Sequence, residues 1–324
     1  MTTAKVLARR GPRKSAWRRV AFALGGILAL LVAASAWLLR DPTPYFLERR
    51  SHLMTVDTVA SHADSLSSDL ELRLHAANGF AVDIAVRRPL AAAAPRSRRI
   101  FVILGGQRAG KEAALLFPDT RGNVVAAIEY PYHGAPNPKG VAVVGQVPAI
   151  RRAILDTPPA LMLALDYLIL QPDVDTTRVE LVGASFGAPF AAVVAALDQR
   201  VTRLWLLHAA ADPYRLLEHN MHKYIGIAPL RAAAAGIANV LIAGPRLDPA
   251  HWAARVAPRP VIMINAMQDE RIPLPLVDRL YASAREPKAQ YWLPGLHMQR
   301  NRRDILGALV DTVLALSERD SLRP

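Results

Sequence analysis

The 324-residue chain contains no cysteine. Disulfides, thiolate metal centres and a cysteine nucleophile are therefore excluded. The compartment stays open, because an oxidising space permits disulfides without demanding them. No Asp or Glu occurs before Asp41, whereas Lys5, Arg9, Arg10, Arg13, Lys14, Arg18, Arg19 and Arg40 all lie there. Those eight cations account for most of the formal net charge of +13, leaving +5 for residues 41–324. The body has no Lys/Arg stripe interleaved with aromatics and no zinc-finger or RNA-binding signature, so nucleic acid is not expected as a partner. His208, His219, His222 and His251 form no H-x-x-x-H helix pattern with a carboxylate partner, so neither a metal nor a cofactor is expected.

Val20 to Leu39 is a run of 20 uncharged, mostly apolar residues. As a helix it would be about 30 Å long, the thickness of a bilayer core. Seven positive charges precede it, and the positive-inside rule then keeps the N-terminus cytoplasmic and exports the rest. The expectation for residues 1–40 is a signal-anchor or transmembrane helix, with the membrane as a partner and residues 41–324 in the periplasm or outside the cell. Ala34-Ser35-Ala36 offers an A-x-A cleavage site, which would make the chain secreted.

Residues 41–69 read as a stalk or lead-in. Leu70 to His75 and Phe80 to Val86 alternate with period two around the Ala77-Asn78-Gly79 turn, an antiparallel hairpin. Further on, Ile100 to Leu104, Val124 to Ile128, Arg178 to Val182, Val201 to Leu207, Pro260 to Asn265 and Ala289 to Leu293 are short apolar runs. Helical segments separate several of them: Ala149 to Leu170 (bent at Pro158-Pro159), the run after Pro189, and Leu274 to Arg285. A last helix spans about Arg303 to Leu316. Alternation of that kind implies a doubly wound, mostly parallel α/β sheet covered on both faces. Sites in such sheets lie at the carboxyl ends of strands, where Gly106, His133 and Ser185 stand. Residues 213–258 read as a helical lid insertion.

Gly183-Ala184-Ser185-Phe186-Gly187 spells G-x-S-x-G between a strand and a helix. This is the context of a nucleophile elbow. A Ser on so sharp a turn has strained dihedrals, and the flanking glycines remove side chains that would strike neighbouring backbone. A competing motif is Gly105-Gly106-Gln107-Arg108-Ala109-Gly110-Lys111, which matches the phosphate loop of nucleotide hydrolases. Glu112, however, stands where that loop places the Ser or Thr that binds Mg²⁺.

Over residues 70–318 the chain resembles the α/β-hydrolase superfamily, in motif order and spacing as well as in the elbow. The family order is Ser, then Asp or Glu, then His. Here Ser185 is followed by Asp269 after the next-to-last strand and by His297 after the last. The resemblance implies a serine hydrolase that cleaves a carboxylic ester or related acyl bond. In it, His297 takes the Ser185 proton and Asp269 orients the imidazole. It also implies that the backbone N–H groups of Phe186 and Gln107 bind the oxyanion. Many members have His-Gly where this chain has Gly105-Gly106, which keeps Gly106 as a second candidate donor. Glu270 and Asp212 remain alternative acids.

A small-molecule or acyl substrate is implied. Residues 213–258 and 135–160 are the expected seat of specificity, with His133 as a cleft wall. A peptidase on the same fold, a nucleotide hydrolase using Gly105 to Lys111, and an inactive binding domain are the alternatives.

Overall fold

The computed structural model describes residues 14–38, 41–117, 119–136, 140 and 142–320, and the chain divides into two units, 1–41 and 42–324. The first unit holds α1 (Lys14–Leu38), on which Trp17, Phe22, Leu24, Ile27, Leu28, Leu30 and Val32 are exposed. Among the described residues no helix is long and apolar enough to cross a membrane. The expected transmembrane helix therefore gains no support from the structure. Residues 1–13 and 39–40, and the side chains of Ala34-Ser35-Ala36, lie outside the described residues.

The second unit runs α2 (Thr43–Arg49), β1 (Leu53–Ala63), β2 (Ser67–Ala76), β3 (Ala81–Pro89), β4 (Arg98–Leu104), β5 (Val124–Ile128), α3 (Ala142–Leu168), β6 (Val174–Ala184) and α4 (Ala188–Leu197). It continues with β7 (Arg203–Leu207), α5 (Pro213–Met221), α6 (Ala228–Leu241), α7 (Pro249–Ala253), β8 (Val261–Ala266), α8 (Leu274–Ser283), β9 (Lys288–Leu293) and α9 (Arg303–Asp320). The nine strands form one mixed sheet in the order β1-β2-β3-β5-β4-β6-β7-β8-β9. The first three strands pair antiparallel and β3 meets β5 antiparallel, whereas β5, β4, β6, β7, β8 and β9 are parallel neighbours.

Period-two alternation divides the core. Ile100, Val102 and Leu104 of β4 point to one face, packed with α3, α4 and Trp252. Phe101 and Ile103 point to the other, packed with Leu309, Val313 and Leu314 of α9 and with Ala113 and Ala114 of a 3₁₀ turn at Gly110–Leu116. Both faces being covered explains why the central strands read as continuous apolar runs. Chain order leaves β4 toward β5 on one side and toward β6 on the other. The ends of β4 and β6 thus flank a topological switch point, where ligand crevices form.

Three local readings change. The segment read as a lead-in carries α2 and β1, and β1 pairs with β2 along the sheet edge. Its mostly exposed Thr, Val and Asp residues hid a strand whose partners, not its own burial, define it. Helix α3 begins earlier than expected and runs through Pro148, Pro158 and Pro159. Burial of the segment from Ala153 to Leu168 outweighs the intrinsic cost of proline, and the Thr157 hydroxyl donates to the Ala153 carbonyl at 2.7 Å. Finally, 213–258 is exposed in one part and buried in another. Leu230 and Ile237 of α6 and Ile227 just before it are exposed, whereas Trp252 and Ala253 of α7 are fully buried.

Candidate active site

Ser185 follows β6 directly, with φ +52° in the left-handed region. A non-glycine residue held there costs roughly 1–2 kcal/mol, so the surrounding packing must impose it. A Cβ on Gly187 would stand 2.1 Å from the Leu104 carbonyl oxygen, and one on Gly183 would stand 2.6 Å from the Ala191 Cβ. The glycines of the motif are therefore required by close approach of β4 and α4 to the turn.

Two loops meet this serine. The loop after β9 carries His297, whose Nε2 lies 2.8 Å from Ser185 Oγ. The loop after β8 carries Asp269, whose Oδ2 lies 2.8 Å from His297 Nδ1. The second Asp269 oxygen accepts the backbone N–H groups of Arg271 and Ile272 at 2.9 Å each. Burial alone would raise the Asp269 pKa. Hydrogen bonding to the carboxylate outweighs burial and holds the carboxyl well below the usual carboxylate range. His208 Nδ1 is 3.5 Å from Asp269 Oδ2 but already accepts the Met298 N–H at 3.1 Å. We therefore assign the larger share to His297 and the two backbone donors.

The other acids are engaged elsewhere. Asp212 accepts the Arg215 N–H at the start of α5 and pairs with Arg279 at 2.7 Å. Glu270 does not touch the imidazole. Its Oε2 accepts the His297 backbone N–H and its Oε1 accepts Arg302 Nη1, each at 2.8 Å, while Arg302 Nη1 also donates to the His297 carbonyl at 2.6 Å. Glu270 and Arg302 thus bracket the His297 peptide from both ends. Against the opposing effect of its partial burial, these donors lower the Glu270 pKa from 4.5 to about 2.

Ser185 and His297 open onto a cavity of about 730 Å³, which Gly105, Gly106, Gln107 and Phe186 also line. Its apolar side comes from Leu116, Phe117, Leu306, Leu309, Val310 and Val313. No described residue of 135–160 or 213–258 lines it, and exposed His133 is not part of its wall. The cavity wall comes instead from the 105–117 turn and α9, which cover the sheet face on which the cavity lies.

Three further contributors went unrecognised in the sequence. Tyr130 donates its hydroxyl to the Gly105 carbonyl at 2.5 Å, and its ring packs edge-on against Phe186 at 5.4 Å. Burial and the neighbouring Glu129 push the phenol pKa up, so Tyr130 remains a donor that holds the Gly105-Gly106-Gln107 turn. His208, 2 % exposed and at φ +48°, packs edge-to-face on His297 at 5.3 Å. Its place at the carboxyl end of β7 was the available signal. Arg302 had none, being one of several arginines after His297.

His208, Asp269 and His297 offer ligand-type atoms within 4.8 Å of one another. The Met298 N–H occupies His208 Nδ1 and Asp269 faces His297 Nδ1, whereas the buried His208 Nε2 has no hydrogen-bond partner among the described residues.

No protein-family model and no curated protein matches the sequence. Solved structures do match. One is acetyl xylan esterase 1 from Thermoanaerobacterium sp. JW/SL YS485, with 16% identity and TM-score 0.58 over 83% of this chain and 92% of that one. An acetyl xylan esterase from Paenibacillus sp. R4 matches with 18% identity and TM-score 0.59 over 85% and 92%. The α/β hydrolase GrgF from Penicillium sp. sh18 matches with 17% identity and TM-score 0.53 over 78% and 98%. Identities this low speak to architecture, and with the mixed sheet and its strand order they establish that the chain has the α/β-hydrolase fold.

Proposed function

We propose that the protein is a serine hydrolase of carboxylic esters, with Ser185 as nucleophile, His297 as base and Asp269 as orienting acid. The observation that carries this reading is the unbroken relay from Ser185 Oγ through both His297 nitrogens to Asp269 Oδ2, with 2.8 Å at each link, opening onto a cavity. That several structural neighbours are named as esterases adds weight.

In this mechanism His297 Nε2 takes the hydroxyl proton as Ser185 Oγ attacks the ester carbonyl carbon. Asp269 holds the second imidazole proton on Nδ1 and stabilises the imidazolium. The tetrahedral oxyanion is bound by the backbone N–H groups of Phe186 and Gln107, with Gly106 as the alternative to Gln107. His297 then protonates the departing alkoxide. Water, deprotonated by the same imidazole, attacks the acyl carbon; the bond to Ser185 Oγ breaks, His297 returns the proton to Oγ, and the carboxylic acid is released. A fluorophosphonate label should attach to Ser185 in the wild type and not in Ser185→Ala. Equal labelling of both would sink the nucleophile assignment, and an unlabelled wild type would favour an inactive binding domain.

The nucleotide-hydrolase alternative is disfavoured by charge. Lys111 Nζ is ion-paired with Glu71, and a Cβ on Gly110 would meet the Glu129 carboxylate at 2.4 Å. A carboxylate thus sits where phosphate would lie. A peptidase on the same relay is separated from an esterase by assay of matched ester and amide substrates. We also propose, from the basic N-terminus and the Val20 to Leu39 run, that residues 1–40 anchor the chain to a membrane and place the catalytic unit outside the cytoplasm. Recovery of an intact, soluble full-length chain from the cytoplasm would contradict this.

A further inference from the structure

The catalytic cavity is lined by three arginines, Arg108, Arg271 and Arg300, and among the described residues by no Asp or Glu. Each arginine belongs to a loop that already carries a proposed catalytic element. Arg108 adjoins Gln107, Arg271 is two positions from Asp269, and Arg300 is three from His297. Three residues of extended chain reach at most about 11 Å, so all three stem from the immediate surround of the reacting atoms.

Their partners differ. Arg300 is spoken for, donating to Glu112 at 2.6 Å and to the Arg108 carbonyl at 2.7 Å, which ties the loop after β9 to the turn after β4. Arg108 and Arg271 are ion-paired to no described residue, although body arginines such as Arg73, Arg88 and Arg200 each have an aspartate partner. Arg271 Nη2 lies 3.3 Å from the Gln299 amide, a neutral group that leaves its charge uncompensated. Two uncompensated guanidiniums at a cavity without acids set up a positive potential inside it. Their planar donor forks match the oxygens of carboxylate and phosphate. The apolar part of the lining, with Leu116, Phe117, Leu309 and Val313, suits an apolar acyl chain.

Building on the serine-hydrolase reading, we infer that the substrate is an anionic ester: an apolar acyl group esterified to a moiety bearing a carboxylate or phosphate, which Arg108 and Arg271 bind.

The test compares para-butanoyloxybenzoate with its neutral methyl ester, each rate normalised to hydroxide-catalysed hydrolysis. The wild type should prefer the anion in kcat/KM by about tenfold, the equivalent of one good charge-assisted contact. The preference should fall toward unity in the Arg108→Gln/Arg271→Gln double variant. It should also shrink from about 0.05 M to about 0.5 M salt in the wild type, as screening requires. The salt arm decides the matter even if the double variant does not fold. Para-butanoyloxyphenyl phosphate distinguishes a phosphate from a carboxylate as the preferred anion. Cationic groups that acted only on the oxyanion would speed both esters alike. No preference in the wild type, or one unchanged in the folded double variant and insensitive to salt, would overturn the inference.

If the wild type turns over neither ester, the ester-hydrolase reading fails separately. Calorimetric binding of para-hydroxybenzoate against its methyl ester then judges the anion site. Tighter binding of the anion, lost in the double variant, supports the site, and equal binding overturns it.

Discussion

Replacing Asp269 with Asn alters one atom in the centre of the relay, and the surrounding hydrogen bonds dictate which way the new amide turns. Asp269 accepts three bonds: from the Arg271 and Ile272 backbone N–H groups on Oδ1, and from His297 Nδ1 on Oδ2. An Asn oxygen can replace only one of the two carboxylate oxygens. Turned toward the backbone, it keeps two bonds. Turned toward His297, it sets an NH₂ against two N–H donors, and each buried donor left unmet costs about 1–3 kcal/mol. The first orientation wins, so the amide NH₂ faces His297 Nδ1. That nitrogen must then accept, and the imidazole proton moves to Nε2. Nε2 now points a proton at Ser185 Oγ and cannot take one.

The expected loss is on the order of 10⁴-fold in kcat, the size seen when a triad histidine is held in the wrong tautomer, or about 5.5 kcal/mol of transition-state stabilisation. Stability should change little, because the two backbone bonds survive. Steady-state hydrolysis of a phenyl ester, with the rate of fluorophosphonate labelling and a melting curve, measures all three. An Asp269→Asn enzyme that melts like the wild type and keeps activity within about tenfold would refute the tautomer argument and Asp269 as the orienting acid.

Asp212→Asn should retain turnover and lose about 1 kcal/mol of stability or less, through a weaker cap on α5 and a weaker Arg279 pair; a dead but folded enzyme would move the acid there. Lys111→Ala should abolish no nucleotide response, since none is expected, and ATP-dependent thermal stabilisation lost in this variant would revive the nucleotide-hydrolase alternative. Gly187→Ala should destabilise by about 1–3 kcal/mol or more in chemical denaturation, because the added methyl collides with the Leu104 peptide. Glu270 has its folded pKa depressed from 4.5 to about 2, so its stabilising contribution is present above 4.5 and is lost as pH falls toward 2. The melting-temperature gap between wild type and Glu270→Gln should therefore be constant above pH 4.5 and close below it; a gap that widens in acid would contradict the Glu270–Arg302 bracket.

What the sequence by itself determined is what is local or strictly ordered. The elbow was legible because strand, glycine spacing and helix start lie within a dozen consecutive residues around Ser185. The parallel strands were legible because burial on both faces leaves uninterrupted apolar runs such as Ile100 to Leu104. Asp269 and His297 could be singled out only through chain order relative to those strands, with Glu270 and Asp212 as rivals. Tertiary structure alone separated the surroundings of these acids. Glu270 sits one position from Asp269, yet the loop geometry aims it at the His297 backbone and at Arg302, 32 residues away. Tyr130 reaches Gly105 across 25 residues, and His208 reaches Met298 across 90. Neither contact leaves a periodic trace, since a hydrogen bond across strands depends on register and not on composition. The cavity wall also had to be seen. The 213–258 insertion looked like the natural cover, but α9 and the 110–116 turn lie on the sheet face beside Ser185, and which helices flank which face is decided by the crossovers between strands.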